Sequence, residues 1–468
     1  MSGHTSTSVE VSLNDGRSED YGLHKDVLGP IETLAQSISA IAPTASPSLT
    51  IPLVFAIAGN ATWFVYFVAT AAMLLVGFCV SRFARLSASP GSLYTYTSEN
   101  LPRPFGNTAA WALLIAYLAT GASVAGGAAY YTSLLTGQFL HWSPAPAAIL
   151  IAVCAVAGWV AYRDVKLSAE LMLWIEAASM SFVLIVVAAL FIHFGVHVDT
   201  DQLMLRGVHP SSLGPALVLA IFSFVGFESA ASLGSEARNP LHTIPRAVLL
   251  CAAVAGSFFI LCSYAEVLGF HGEMSKLSET TSPLHLLAAK IGLAPVGSVI
   301  DFGTMISMAA CTLACATAAA RLMLRMAHEG LLPKAFEKTN RKHGTPTAAV
   351  VLCATSMMVA TVGLAVAGVP VETMFDWMGS LATFGFLTAY ALVAVALPFA
   401  RRAAGSHSHL VAAVSIVTVL IMILVAVYDL RSTSDAAHVR IPYIYLAYIA
   451  VCVLWSYWKT RGRKLVAQ

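Results

Sequence analysis

Two acidic residues stand in the middle of long apolar runs: Glu176 in LMLWIEAASMSFVLIVV and Glu228 in FSFVGFESAASLG. A carboxyl group withdrawn from water can load and release a proton near neutral pH, and it is also a ready partner for a cationic solute. Glu228 is read either as a proton carrier or as an acceptor for backbone amides of an interrupted helix. Glu176 is read as a second proton carrier, as the partner of a cationic substrate, or as a carboxyl hydrogen-bonded to a neighbouring helix. Glu266, Asp301 and Asp376 lie near the ends of apolar runs and read as solvated end groups.

Small polar residues gather at two further places. Residues 37–52 read SISAIAPTASPSLTIP, where Pro43, Pro47 and Pro52 each remove a backbone donor and crowd the preceding turn. Ser39, Thr44, Ser46 and Ser48 offer hydroxyls to the freed groups. Residues 219–240 read LAIFSFVGFESAASLGSEARNP, with Gly226 mid-run and Phe227 and Glu228 after it. Irregular backbone at membrane depth persists only against protein or a water-filled cavity. Two interrupted spans in corresponding halves of a chain point to a transporter's binding site. Helix N-terminal ends at such breaks favour an anion. Thr44, Ala45 and Ser46 are the candidates from the first break, with Ser39 beside them. Phe222, Phe224, Gly226 and Phe227 are the candidates from the second.

The elements that must position these groups are membrane helices. A crossing needs about 20 mostly apolar residues. Such runs fall near 28–57, 62–82, 105–136, 145–162, 167–193, 212–235, 246–269, 296–327, 346–368, 373–399, 409–429 and 441–458. The predicted fold is thus an all-α polytopic membrane protein of about twelve transmembrane helices. With the N-terminus inside, only Arg206, Lys276, Lys290, Arg431 and Arg440 of the 26 Lys and Arg fall in outer segments. That asymmetry supports an even number of crossings with both termini cytoplasmic. The basic inner stretch Arg321, Arg325, Lys334, Lys338, Arg341 and Lys342 reads as a topology anchor facing membrane lipid headgroups. Residues 1–25 read as a disordered cytoplasmic tail and not as a signal peptide.

Composition excludes other classes. Charged residues are 11% and hydrophobic residues 58%, with a mean hydropathy of +0.76, too little charge to cover a water-facing surface. A net charge of +2 gives no reason to expect nucleic acid. Cys79, Cys154, Cys251, Cys262, Cys311, Cys315, Cys353 and Cys452 fall in or near apolar runs without metal-ligand spacing, so they read as small apolar filler. No metal and no cofactor is expected. HExxH and GxSxG motifs are absent, which argues against a membrane enzyme.

Three stretches resemble the amino acid–polyamine–organocation (APC) superfamily of permeases. FSFVGFESAASLGSEARNPLHTIPRAV (222–248) is similar to the family's sixth helix and following loop, and is especially close to that of arginine/agmatine antiporters. ARLMLRMAHEGLLPKAFEKTNRKHGTPTAAV (320–350) is similar to the eighth helix, inner loop and start of the ninth. SASPGSLYTYTSENLPRPFGNTAAW (87–111) is similar to the entry to the third. The likeness spans roughly 26–460. It implies a five-plus-five inverted repeat with broken helices 1 and 6, two added helices, and alternating access around a midplane site. The corresponding units are 26–195, 196–400 and 401–468. The resemblance also implies a proton-sensing role for Glu228 and a gating role for Phe222.

This chain departs from the family in two places. Where many members carry Gly-Thr-Gly or Gly-Ser-Gly at the first break, it reads Pro43-Thr44-Ala45, then Ser46. Thr44 keeps the hydroxyl, but Pro43 offers no amide to a substrate carboxylate. Where some proton-coupled members carry a fifth-helix lysine, it has Ser179. In sodium-coupled relatives two adjacent hydroxyls on the eighth helix face the first break. Ser307 and Thr312 lie on the right helix but are not adjacent, which makes sodium the weaker reading. The expected function is secondary active transport of an amino acid across the cytoplasmic membrane, coupled to protons. The alternatives are an amine or polyamine importer, an amino acid/amine exchanger, or a nutrient sensor without flux.

Overall fold

The structure is a computed structural model that describes residues 21–163, 165–194, 199–270, 277, 280, 282–340, 342–403, 408–431 and 438–466. Of the tail expected over 1–25, residues 1–20 lie outside the described residues. The described chain is almost entirely helical. Proline, whose missing N–H does no harm in a first turn, opens many of the helices. It stands in the first turn of α1 (Pro30–Ile41), α2 (Ile51–Ala58), α4 (Arg103–Leu140), α7 (Pro210–Phe222), α8 (Pro240–Gly269) and α9 (Ala294–His328). The other long helices are α3 (Thr62–Ala84), α5 (Pro146–Arg163), α6 (Val165–Phe194), α10 (Thr347–Val366), α11 (Val371–Ala403), α12 (His409–Arg431) and α13 (Ile441–Val466).

Ten helical runs among the described residues are long and apolar enough to cross a membrane. The first, Pro30–Ala84, has 55 residues, more than twice what one crossing needs. It divides into an interrupted first crossing, α1 and α2, and a second, α3. The short apolar helix α7, continued by turns and the 3₁₀ segment Ser229–Leu233, makes the sixth crossing. With these two divisions the twelve expected spans are all present.

Helices α3 and α8 pack together, as do α4 and α9, and α5 and α10. These are the second and seventh, third and eighth, and fourth and ninth crossings, and the third also packs against the tenth, α11. Between helices in lipid there is little hydrophobic drive, so close packing must come from small side chains. The central helix α4 supplies them, with Ala109, Ala112, Ala116, Ala122, Ala125, Gly126 and Ala128 all buried. On the side facing α11 the backbones come close at Gly385, where a Cβ would stand 2.5 Å from the Ala112 carbonyl oxygen. The outer surface is apolar, with Trp174, Ile192, Val366, Leu420 and Leu446 exposed. On a helical protein lacking a polar coat this is a lipid-facing surface. The chain is a multi-pass membrane protein.

Several charged groups are not where the sequence places them. Glu266 and Asp301, read as solvated ends, are buried. Asp301 is held by His285 Nδ1 at 2.6 Å and by the Ser282 hydroxyl at 3.1 Å. Arg321 and Arg325, read as part of a lipid-facing anchor, are also buried. A Lys/Arg count registers which end of a helix a cation occupies, not the direction it faces. Arg321 grips Glu236 in a two-pronged ion pair, Nε to Oε2 at 2.6 Å and Nη2 to Oε1 at 2.8 Å. Its Nη1 donates to the Thr317 carbonyl at 3.1 Å. Arg325 pairs with Glu329 at 2.7 Å and bonds the Tyr21 hydroxyl.

Removing one partner of a buried pair strands the other charge, at roughly 3–5 kcal/mol. Arg321→Ala is therefore expected to lower the apparent melting temperature in detergent sharply. The double variant Glu236→Gln/Arg321→Met should recover most of that loss. If Arg321→Ala melts like the parent, the pair does not hold this end of the bundle together.

Candidate functional site

The first interruption begins where α1 stops. Ala42 turns into the left-handed region at φ +49°, its N–H bonding back to Ser39 O at 3.0 Å. Pro43 follows inside the break. Pro47 and Pro52 do not break the helix as expected. Pro47 lies in the first turn of a π-helical segment, Ser46–Thr50, and Pro52 in the first turn of α2. The wider π-turn occupies the residues just ahead of Pro52, where an α-helical bond from residue 52 has no donor.

The second interruption follows α7 at Ser223. Gly226, at φ +92°, lies against the first: a Cβ there would be 2.9 Å from the Ala40 carbonyl oxygen. The two breaks therefore meet backbone to backbone, a contact that only glycine at 226 allows. Beyond it, Ser229 Oγ donates to Gln36 O at 3.1 Å and Ala230 N–H donates to Ser37 Oγ at 3.0 Å. These bonds stitch α1 to the 3₁₀ segment. Gln36 Nε2 donates to Ala314 O and Cys311 Sγ to Ala40 O, which ties α1 to α9.

Each mid-span carboxyl is clasped by hydroxyls from two other elements. Ser39 Oγ donates to Glu176 Oε1 at 3.2 Å, and Ser307 Oγ donates to Oε2 at 2.8 Å. Glu176 on α6 thereby joins α1 and α9. Tyr117 of α4 donates to Glu228 Oε1 at 2.8 Å, and Tyr390 of α11 donates to Oε2 at 2.5 Å. Tyr390 Oη also accepts the Gly226 N–H at 3.3 Å, so the second break and its carboxyl share one tyrosine. A hydroxyl donates to a carboxylate and accepts from a carboxylic acid. Both clasps therefore accommodate either protonation state without a change of partner.

The remaining candidates divide. Thr44, Ala45 and Ser46 are buried, and the Thr44 hydroxyl has no hydrogen-bond partner among the described residues. Ala42 and Ala45 belong to an apolar cluster with Val124, Met308 and Phe375, against which Phe222 packs half-buried. The Phe222 and Phe375 rings meet edge-on at 5.8 Å. Phe224 and Phe227 point elsewhere: Phe224 meets Phe259 of α8 at 5.1 Å, and Phe227 meets Tyr390 at 5.7 Å. Ser307 and Thr312 are not brought together. Ser307 faces Glu176, whereas Thr312 bonds Gly121 O and Met308 O. Ser179 donates to Gly303 O at 3.2 Å.

Tyr117 and Tyr390 were not singled out in the sequence. The signal available was a lone phenol within each small apolar run, LLIAYLATG and FLTAYALVA.

A family model described as amino acid permease matches residues 28–458. The branched-chain amino acid permease BcaP of Bacillus subtilis (strain 168) is 26% identical over 381 residues, 77% of this chain and 75% of that protein. The methylthioribose transporter of the same organism is 26% identical over 365 residues, 74% of each. The low-affinity putrescine importer PlaP of Escherichia coli (strain K12) is 26% identical over 283 residues, 58% of this chain and 60% of that protein.

Because Gly226 combines a positive φ with a contact to backbone, Gly226→Ala should destabilise the protein, with about 1–3 kcal/mol from the strained conformation alone. Thermal unfolding of the purified variant checks this. A melting temperature equal to the parent's would mean that the breaks do not press on each other.

Proposed function

Given that the chain belongs to the amino acid permease family, a family of transporters and not of enzymes, we propose that it is a proton-coupled secondary transporter of an amino acid. It works by alternating access at the cytoplasmic membrane, with both termini inside and the repeats at 26–195 and 196–400. One observation carries the coupling: Glu176 and Glu228 are buried at the two breaks and held by hydroxyls, not by cations. A fixed ion pair would lock a carboxyl in its charged form, whereas a hydroxyl clasp leaves it free to change state.

The solute sits where the breaks meet. Its carboxylate faces Thr44 and the amides that open the π-turn at Ser46, as helix N-terminal ends favour. Its side chain lies among Ala42, Ala45, Val124, Met308 and Phe375, with Phe222 as the gate. These apolar side chains, packed on one another in this structure, suit a hydrophobic amino acid, in keeping with the similarity to a branched-chain permease. A second reading, an amine or polyamine importer or an amino acid/amine exchanger, is favoured by Glu176 of α6, whose carboxyl stands beside the end of α1 and could meet a cationic group. Protons are preferred to sodium because the hydroxyl of Thr312 is turned away from Ser307.

Thermal stabilisation of the purified protein against amino acids, amines and polyamines separates the two solute classes, since a ligand of the folded state raises the melting temperature. Hydrophobic amino acids are expected to stabilise it. A response confined to amines overturns the amino acid reading. Thr44→Val should weaken whichever ligand responds, and unchanged affinity would move the pocket elsewhere. Glu228→Gln should abolish accumulation driven by a proton gradient while binding persists. Accumulation with unaltered pH dependence would remove Glu228 from the coupling.

A further inference from the structure

Glu266 is fully buried on α8, and neither of its carboxyl oxygens has a hydrogen-bond partner among the described residues. Helical geometry puts Phe259, Cys262, Ser263 and Glu266 on one face of α8. The Phe259 ring meets Tyr66 of α3 at 5.7 Å and Phe224, beside the second break, at 5.1 Å. Glu266 therefore faces the seam between α3 and the interrupted sixth crossing. Tyr66 lies within electrostatic reach of Glu266, and its hydroxyl is 3.2 Å from Ser223 Oγ. Ser223 ends α7 next to the half-buried Phe222. A line of polar groups thus runs from the unpartnered acid to the break.

The surroundings oppose a negative charge. Glu266 lies in the last turn of α8, where unpaired carbonyls cluster. The titratable groups set against it are Tyr66 and, on its own helix, Cys262. On the packed helix Pro283–Lys290, Lys290 Nζ donates to Gly269 O at 3.2 Å and His285 is taken by Asp301. No cation among the described residues meets the carboxyl. With no donor among the described residues, an ionised carboxylate there is costly, which favours the neutral acid. That acid still leaves an O–H and a carbonyl unpaired, at about 1–3 kcal/mol. An apolar side chain would avoid this penalty. The acid has a purpose if another stage of the cycle supplies its partners.

We propose that Glu266 is a further proton-binding residue of the transport cycle. It holds a proton while the two breaks are closed on each other. When α7 moves and parts Ser223 from Tyr66, the Tyr66 hydroxyl and entering water reach the carboxyl. The O–H bond then breaks, the proton passes to water, and the carboxylate accepts from Tyr66. The inference rests on the proton-coupled reading above.

The test uses the full chain in proteoliposomes under an imposed proton gradient, with leucine and putrescine as probes, alongside infrared difference spectra of the purified protein through a pH step. Glu266→Gln is expected to remove one neutral-carboxyl band and to abolish gradient-driven accumulation, leaving downhill exchange. If the wild type accumulates a probe and Glu266→Gln does so equally, this inference fails and the coupled reading stands. If the wild type accumulates neither probe, the coupled reading fails and this one with it. Should Glu266→Gln not fold, Tyr66→Phe decides: it should keep the band and lose accumulation, and unchanged accumulation overturns the proposal.

Discussion

Everything around the centre depends on one contact, the approach of Gly226 to the Ala40 carbonyl. A bilayer offers no water to a broken helix, so the polar groups released by two breaks must be met from within the protein. Pressing the breaks together accomplishes much of this. Ser37, Ser229 and Gln36 bond across the junction, and Tyr390 takes the Gly226 amide. The Ala- and Gly-rich helix α4 allows α9 and α11 to close on either side. Glu176 and Glu228 then meet hydroxyls from helices far away in the chain.

That arrangement unites stability with change. A bundle tied at its middle by strong ion pairs would be rigid there. Instead the strong pair, Glu236 with Arg321, stands towards the end of α9, and the middle is held by hydroxyls and by backbone in contact with backbone. Such bonds are individually modest, about 0.5–1.5 kcal/mol net. Breaking any one of them costs little.

The architecture was legible in the residues because lipid imposes a coarse rule. Twelve apolar runs, two of them interrupted, follow from length and from Pro43 and Gly226. The breaks themselves were legible for the same reason. The directions of side chains were not. Hydropathy reports depth and says nothing of azimuth, so Arg321, Arg325, Glu266 and Asp301 were all assigned to water or headgroups although they face inward. Phe222, Phe224 and Phe227 are neighbours in the chain, yet the turns after Ser223 send them to three different places. The tyrosines that hold Glu228 lie 111 and 162 residues away from it, beyond any local pattern.

Glu236 performs two tasks at once. Its side chain takes Arg321, and its carbonyl oxygen accepts the N–H groups of Val27 at 3.0 Å and Leu28 at 3.1 Å. Arg238 adds its Nε to Asp26 O at 2.7 Å and its N–H to Leu28 O at 2.8 Å. The segment before α1, the loop before α8 and the end of α9 are therefore keyed to a single residue. Half-opening this end would bare a charge and two amides together, so partial separation is penalised more heavily than the loss of any one of these bonds.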